Sequence, residues 1–279
     1  MVRTVSGSTD REVALRGLRF HYVEWGAAAS PPVLLLHGLT GHARTWDQTA
    51  ALLADTWWLL ALDQRGHGDT SWPDPPSYET DDFVADALAF VDHLRLGRFA
   101  LVGLSMGGHN AMAFAARYPD RVDRLVIVDI MPAVTMERSP NWPEMQRIAR
   151  EGHVRFRSED EAFAAARAGN AHAPDENLRY RVERNLKRTE DGQFVWKYDY
   201  RAPALWRPAD LWPEVGRIAM PTLLVRGGRT DVLPVVVAER MAGTFPYLRL
   251  VTIEDSGHSV PTDRPEELAR AIRSFLAGT

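Results

Sequence analysis

The chain of 279 residues is 45% hydrophobic and 25% charged, the balance of an ordinary globular protein long enough to bury about three quarters of its unfolded surface. A formal charge of −4, from 33 basic and 37 acidic groups, offers no polycationic face for a phosphate backbone, so nucleic acid is not expected as a partner. Without cysteine there is no structural disulfide, thiolate metal site or thiol nucleophile, which leaves serine, threonine, lysine, histidine and the carboxylates for covalent chemistry.

The opening stretch MVRTVSGSTDREVALRG carries charges where a secretory signal needs an apolar core of about 7–15 residues, and reads as a mature start. Apolar stretches such as Trp57 to Leu62 fall far short of the ~20 residues that cross a bilayer. A cytoplasmic protein without a membrane partner is expected.

Glu12 to Leu15 and Leu18 to Val23, around Gly17, predict an antiparallel hairpin at a sheet edge. Val33 to Leu36, Trp57 to Leu62, Phe99 to Val102 and Leu125 to Val128 are apolar on both faces, the pattern of strands in a buried parallel sheet. Helical patterns lie between them: Trp46 to Leu53, Asp82 to Leu94 with Thr80 as N-cap, and Met106 to Ala116. Alternation of strand and helix predicts a doubly wound α/β fold.

That rhythm breaks after Met131-Pro132, and the next strand signal comes only at Thr222 to Val225. Connections inside α/β units take about 2–6 residues, so the intervening length requires structure of its own. Helical signals at Pro143 to Glu151, Glu159 to Arg167 and Glu176 to Lys187, with no strong strand run, predict a helical cap over residues 132–218; residues 1–131 and 219–279 then form the core domain. Leu248 to Ile253 predicts a last strand, and Asp263 as N-cap with Glu266 at the third helical position opens a final amphipathic helix.

Gly103-Leu104-Ser105-Met106-Gly107-Gly108 falls where an apolar strand meets a helix. A turn that tight brings positions two before and two after the serine against neighbouring backbone, which is the reason for glycine at both. Ser105 is thereby a candidate nucleophile, held in a strained conformation at a helix N-terminus. Its hydroxyl needs a base. Among the nine histidines, His258 follows the last strand in a loop expected at the same sheet edge, whereas His37 and His67 sit in glycine-rich turns that shape backbone.

Two aspartates compete to orient His258: Asp231, in Arg226-Gly227-Gly228-Arg229-Thr230-Asp231, and Asp129, at the end of Leu125 to Val128. Asp231 is preferred because its strand should neighbour the one leading to His258, with Asp129 the alternative. Asp63 reads as a structural turn residue paired with Arg65. The backbone N–H groups of Leu39 and Met106 are the expected donors to an oxyanion.

Together these segments resemble the α/β-hydrolase superfamily, and in particular its small capped bacterial members: esterases, lactonases, carbon–carbon bond hydrolases and perhydrolases. The resemblance implies an eight-stranded, mostly parallel sheet flanked by helices, with a helical cap inserted between strands six and seven, and a Ser105, His258, Asp231 triad. Many relatives have histidine before the serine; Leu104 stands here and implies a drier pocket. Serine at the nucleophile position argues against epoxide hydrolases and haloalkane dehalogenases, which attack with aspartate. Hydroxynitrile lyases of this fold use a lysine near the leaving cyanide, and the only lysines are Lys187 and Lys197, both in the cap.

No His-x-His cluster or carboxylate array suggests a metal, and no phosphate-cradling loop suggests a nucleotide. No cofactor is expected. The expected partner is a small-molecule acyl substrate, with homo-oligomerisation left open. Trp142, Trp196, Trp206 and Trp212, with Phe163, Phe194, Tyr198 and Tyr200, supply aromatics for a pocket, most of them as core. Arg181, Arg184 and Arg188 fall at helical spacing and offer a carboxylate clamp, but Glu183, Glu190 and Asp191 dilute them, so a solvated basic face is expected.

The leading functional expectation is a serine hydrolase of carboxylic esters, lactones or activated carbonyls, working through an acyl-enzyme on Ser105. The rivals are another chemistry on the same triad (perhydrolase, acyltransferase, lyase or cofactor-free oxygenase) and a scaffold that binds a ligand without turnover.

Overall fold

The structure is a computed structural model that describes residues 7–278. Residues 1–6 of the stretch read as a mature start lie outside the described residues.

Eight strands form one sheet: β1 (Ser8–Leu15), β2 (Leu18–Trp25), β3 (Pro32–Leu36), β4 (Trp58–Leu62), β5 (Phe99–Leu104), β6 (Val122–Val128), β9 (Thr222–Gly227) and β10 (Leu248–Ile253). A separate hairpin pairs β7 (Leu186–Arg188) with β8 (Phe194–Trp196). The sheet order is β1-β2-β4-β3-β5-β6-β9-β10. The β1/β2 and β2/β4 pairs are antiparallel and the others parallel, so the expected edge hairpin and parallel centre are both present.

The helices in chain order are α1 (Asp47–Ala51), α2 (Thr80–His93), α3 (Met106–Arg117), α4 (Trp142–Glu151), α5 (Glu159–Gly169), α6 (Asp175–Asn185), α7 (Ala202–Leu205), α8 (Val235–Thr244), α9 (Val260–Asp263) and α10 (Pro265–Ala277). None among the described residues is long and apolar enough to cross a membrane. The two-residue period of the strands divides the core. Leu34, Leu36, Phe99 and Leu101 pack with Phe90, Phe114 and Met241 from α2, α3 and α8. Val33, Leu35, Ala100 and Val102 pack on the other face with Ala50, Leu268 and Ile272 from α1 and α10. Both faces of the central strands are buried, which is why their sequences are apolar without alternation.

Residues between β6 and β9 hold α4 to α7 and the β7/β8 hairpin. Phe156, Ala162, Leu178, Val182 and Leu186 give part of this insertion its own small core, while Trp206, Ala202 and Met136 pack with Tyr78, Phe83 and Met106. The hairpin was not expected from sequence: its strands are three residues each, too short for a period to register.

Several local expectations are corrected. Asp82 accepts from the Glu79 N–H at 3.3 Å at the start of α2, while the Thr80 hydroxyl accepts from the Ala209 N–H at 2.9 Å. Asp263 ends α9 rather than capping α10. Arg65 does not pair with Asp63; it forks onto Asp86 with Nε–Oδ2 at 2.5 Å and Nη2–Oδ1 at 2.8 Å. Asp63 is held by His21 Nδ1 at 2.7 Å, the Ala43 N–H at 2.5 Å and the Asp69 N–H at 2.9 Å. Burial alone would lower the His21 pKa, but Asp63 and Asp10 outweigh it and raise it.

Arg65 and Asp86 are almost fully buried. Removing one partner strands a charge in low dielectric, so Arg65→Met should lower unfolding free energy in urea by about 3–5 kcal/mol. Arg65→Met with Asp86→Leu should recover much of that loss; a single variant as stable as wild type would contradict the role assigned to the pair.

Candidate active site

The nucleophile elbow is a matter of backbone clearance. Ser105 directly follows β5 and caps α3 with φ 52° and ψ −121°, a conformation costing a non-glycine residue about 1–3 kcal/mol. It is held by its N–H donating to Val128 O and its carbonyl accepting from the His109 N–H, both at 2.9 Å. A Cβ on Gly103 would lie 2.2 Å from Gly107 O, and one on Gly107 would lie 2.3 Å from Leu36 O. Any side chain at either place would push α3 away from β3 and β5, as the sequence reading required.

His258 sits in the loop between β10 and α9. Its Nδ1 lies 2.7 Å from Asp129 Oδ2. The acid beside this histidine is therefore Asp129, and the preference for Asp231 is corrected. Asp129 directly follows β6, also at positive φ (51°), and its side chain is fully buried. Its Oδ1 accepts from the Gly227 N–H at 3.0 Å and its Oδ2 from the Thr230 hydroxyl at 2.5 Å. Asp231, one residue beyond Thr230, is exposed. The β9 turn thus faces the site with a hydroxyl that donates to the acid, and the next residue points to solvent.

With Nδ1–H directed at Asp129, Nε2 is the basic nitrogen of His258. Ser105 and His258 border one cavity of about 40 Å³, together with Leu39, Leu104, Arg181 and Ser259. The loop carrying His258 is fastened by Asp263, whose Oδ2 accepts from the Gly257 N–H at 2.8 Å and from the Ser256 hydroxyl at 3.3 Å. The aspartate expected to cap α10 thus anchors the histidine loop instead, and its Oδ1 also accepts from Asn170 Nδ2 at 2.9 Å.

A strained serine on a strand-to-helix turn, facing a histidine backed by a buried aspartate, calls for comparison with known proteins. A model of the α/β-hydrolase fold family matches residues 31–265. The chain belongs to that family. It is 31% identical over 257 residues to an esterase of Mycobacterium tuberculosis, Rv0045c, covering 91% of this chain and 85% of that one. It is 28% identical to the 2-(acetamidomethylene)succinate hydrolase of Mesorhizobium japonicum, covering 89% and 88%. Among solved structures, an E-2-(acetamidomethylene)succinate hydrolase is similar with a TM-score of 0.87 at 26% identity, covering 97% of this chain and 99% of that one. The mycobacterial esterase follows this chain with a TM-score of 0.85 at 28% identity, covering 97% and 92%.

In this α/β hydrolase the remaining motif histidines serve the frame, as expected. His37 Nδ1 donates to Gly38 O at 2.8 Å and its Nε2 accepts from the Gln64 N–H at 3.0 Å. Gln64 returns a bond from Nε2 to His37 O at 2.7 Å and accepts from Asn110 Nδ2 at 2.8 Å. These bonds tie the loop carrying Leu39 to α3. Met106, at the first position of α3, has no intrahelical acceptor for its N–H. Lys187 is exposed and Lys197 pairs with Asp69 at 2.8 Å, so neither borders the Ser105 cavity.

A cation site would need free lone pairs, and the one cluster of suitable spacing among the described residues is His21, Asp63 and Asp69. There both His21 nitrogens face carboxylates, Asp63 at 2.7 Å and Asp10 at 2.9 Å. Of the insertion's aromatics, Trp196 and Tyr198 line a cavity and the others pack as core or against arginine.

Helix α6 crosses the site and is tied to the core along its length. Tyr180 OH donates to Asp47, Asn177 Nδ2 to Thr262 O at 3.1 Å, and Asn185 Nδ2 to Thr40 O at 3.0 Å. Arg188 lies beyond the end of this helix, on β7, so it shares no helical face with Arg181. The expected basic face is corrected for Arg181, which turns into the cavity shared with Ser105.

Two expectations follow. Asp263→Ala should speed hydrogen exchange at the Gly257 amide and lower stability by about 1–3 kcal/mol, because a buried donor loses its acceptor; unchanged exchange would remove the anchoring role. Burial also pushes His37 down to about 4 and His67 down to about 3. Between those values and the ordinary 6.5 the unfolded chain binds more protons than the folded one, so stability is full above pH ~6.5 and declines as pH falls toward 4. Urea unfolding at pH 7 and pH 5 should show the decline, and a flat response would contradict neutral burial.

Proposed function

We propose that the chain hydrolyses carboxylic esters through an acyl-enzyme on Ser105. The observation that carries this reading is the 2.7 Å contact of His258 Nδ1 with Asp129, made by a histidine that shares a cavity with a serine at φ 52°. Ser105 Oγ attacks the acyl carbon, and His258 Nε2 takes its proton. Asp129 fixes the tautomer and stabilises the imidazolium. The same proton passes to the leaving alkoxide, and water activated by His258 releases the acid.

The Leu39 and Met106 N–H groups receive the developing oxyanion. Leu39 borders the cavity, and Met106 offers the first free amide of α3, where the helix dipole adds to the hydrogen bond. Residues 132–218 act as a cap over this edge of the sheet, supported by the bonds from α6 to Asp47, Thr40 and Thr262. The esterase activity of the mycobacterial relative supports the reaction class.

A fluorophosphonate should label Ser105, and the label should vanish in His258→Ala. Ser105→Ala should abolish turnover of an ester that wild type accepts, and retained turnover would end this reading. Asp129→Asn should lower kcat about 10³–10⁴-fold through loss of the correct tautomer, whereas Asp231→Asn should stay within about twofold of wild type. The reverse ranking would return the acid role to Asp231.

A further inference from the structure

The Ser105 cavity adjoins a second one of about 250 Å³ between the insertion and the core, and Arg181 and Ser259 line both. That volume is at the small end for organic ligands. Its charge is one-sided. Arg181 is the sole arginine, lysine, aspartate or glutamate lining either cavity.

Arg181 is also left without a partner of opposite sign. Among the described residues no carboxylate stands within ion-pair distance of its guanidinium, and its hydrogen bond is a long one, Nη1 to Ser259 Oγ at 3.5 Å. Asp263 favours its charge from further away, and its oxygens are engaged by Gly257, Ser256 and Asn170. Burial lowers the Arg181 pKa, the mark of a cation set in poor solvent. Of the two arginines buried among the described residues, Arg65 is paired with Asp86 and Arg226 donates from Nε to the Leu233 carbonyl at 2.9 Å, whereas Arg181 has neither a carboxylate nor a short carbonyl contact. A guanidinium on a cavity wall with no carboxylate beside it gains from a ligand anion that pairs with it.

Two further polar groups face the same space. Asn185 is 4% exposed, and its Oδ1 is buried without a hydrogen-bond partner. Its Nδ2 donates to Thr40 O at 3.0 Å, which leaves Oδ1 an enclosed acceptor beside the cavity. Tyr198 also lines the cavity, and burial pushes its phenol up to about 12, so it stays a neutral hydroxyl.

We infer that Arg181 forms a substrate-recognition subsite for an acyl compound that carries a carboxylate. Arg181 takes the carboxylate by charge-assisted hydrogen bonds. The ties of α6 to the core, including His42 Nε2 to the Arg181 carbonyl at 3.3 Å, hold the helix that carries Arg181 in place relative to Ser105. This inference rests on the ester-hydrolase reading for the reaction but not for the binding.

The test compares the 4-nitrophenyl monoester of adipic acid with its methyl-capped neutral analogue, following nitrophenol release. Wild type should favour the carboxylate in kcat/KM by about 10-fold or more, and Arg181→Gln should cut that ratio to within about threefold, the size expected for a hydrogen-bonded charge. Arg181→Lys should keep a preference of the same sign, and Arg181→Glu should turn it toward an ester ending in a trimethylammonium group. Adipate binding to the Ser105→Ala protein, read by calorimetry, should weaken about tenfold or more when Arg181→Gln is added.

A wild-type enzyme indifferent to the carboxylate, or adipate binding that ignores residue 181, would overturn the inference. The first of these needs no substitution, so a variant that fails to fold does not shield it. Turnover that survives Ser105→Ala would instead strike the hydrolase reading, leaving the binding measurement to judge Arg181.

Discussion

The structure depends on one close approach, the packing of the first turn of α3 against the backbone at the ends of β3 and β5. Gly103 and Gly107 permit it, because a methyl group at either would overlap a peptide oxygen. The approach forces Ser105 to φ 52° and delivers its side chain to the sheet edge. It also lets Asn110 on α3 reach Gln64, which in turn holds both the nitrogen and the carbonyl of His37. Ser105 and the loop carrying Leu39 are thus parts of one packed unit, and on the proposed mechanism the nucleophile and the oxyanion donors are preorganised.

The histidine and its acid are placed by different means. Neither belongs to the elbow; they meet because β6, β9 and β10 are adjacent and parallel, so the loops that follow them emerge together. Asp129 leaves β6 at positive φ and is gripped from the β9 turn by the Gly227 N–H and the Thr230 hydroxyl. His258 is brought to it by a loop whose own anchor is Asp263. A buried carboxylate that accepts from an amide, a hydroxyl and an imidazole has both oxygens hydrogen-bonded, which offsets the loss of water around it.

This division explains what the sequence discloses. The elbow is legible because its constraint is steric and local, and only glycine meets it. The central strands are legible because burial on both faces removes alternation. Choosing between Asp129 and Asp231 required knowing which residue of the β9 turn faces inward, and a one-residue difference between Thr230 and Asp231 reverses the answer. Such a difference lies in turn geometry that composition does not encode. The Arg65 pairing failed for a similar reason: Asp86 is distant in the chain and arrives on α2. Arg181, Arg184 and Arg188 looked like one face only while the helix was assumed to run past Asn185.

The placement of Arg181 separates chemistry from selectivity within the molecule. Ser105, His258 and Asp129 stand on the sheet edge, where backbone packing leaves little room to vary, while Arg181 and Asn185 stand on α6, held by side-chain hydrogen bonds to Thr40, Asp47 and Thr262. Side-chain ties can be exchanged without disturbing the sheet, so the insertion can change which acyl group is held while the reacting atoms keep their geometry. On the proposed reading, a guanidinium with no carboxylate beside it is completed by an anion of the right shape. Selectivity on this view comes from a defect in the protein's own charge pairing that the substrate completes, and it falls away for neutral acyl groups because they leave the defect in place.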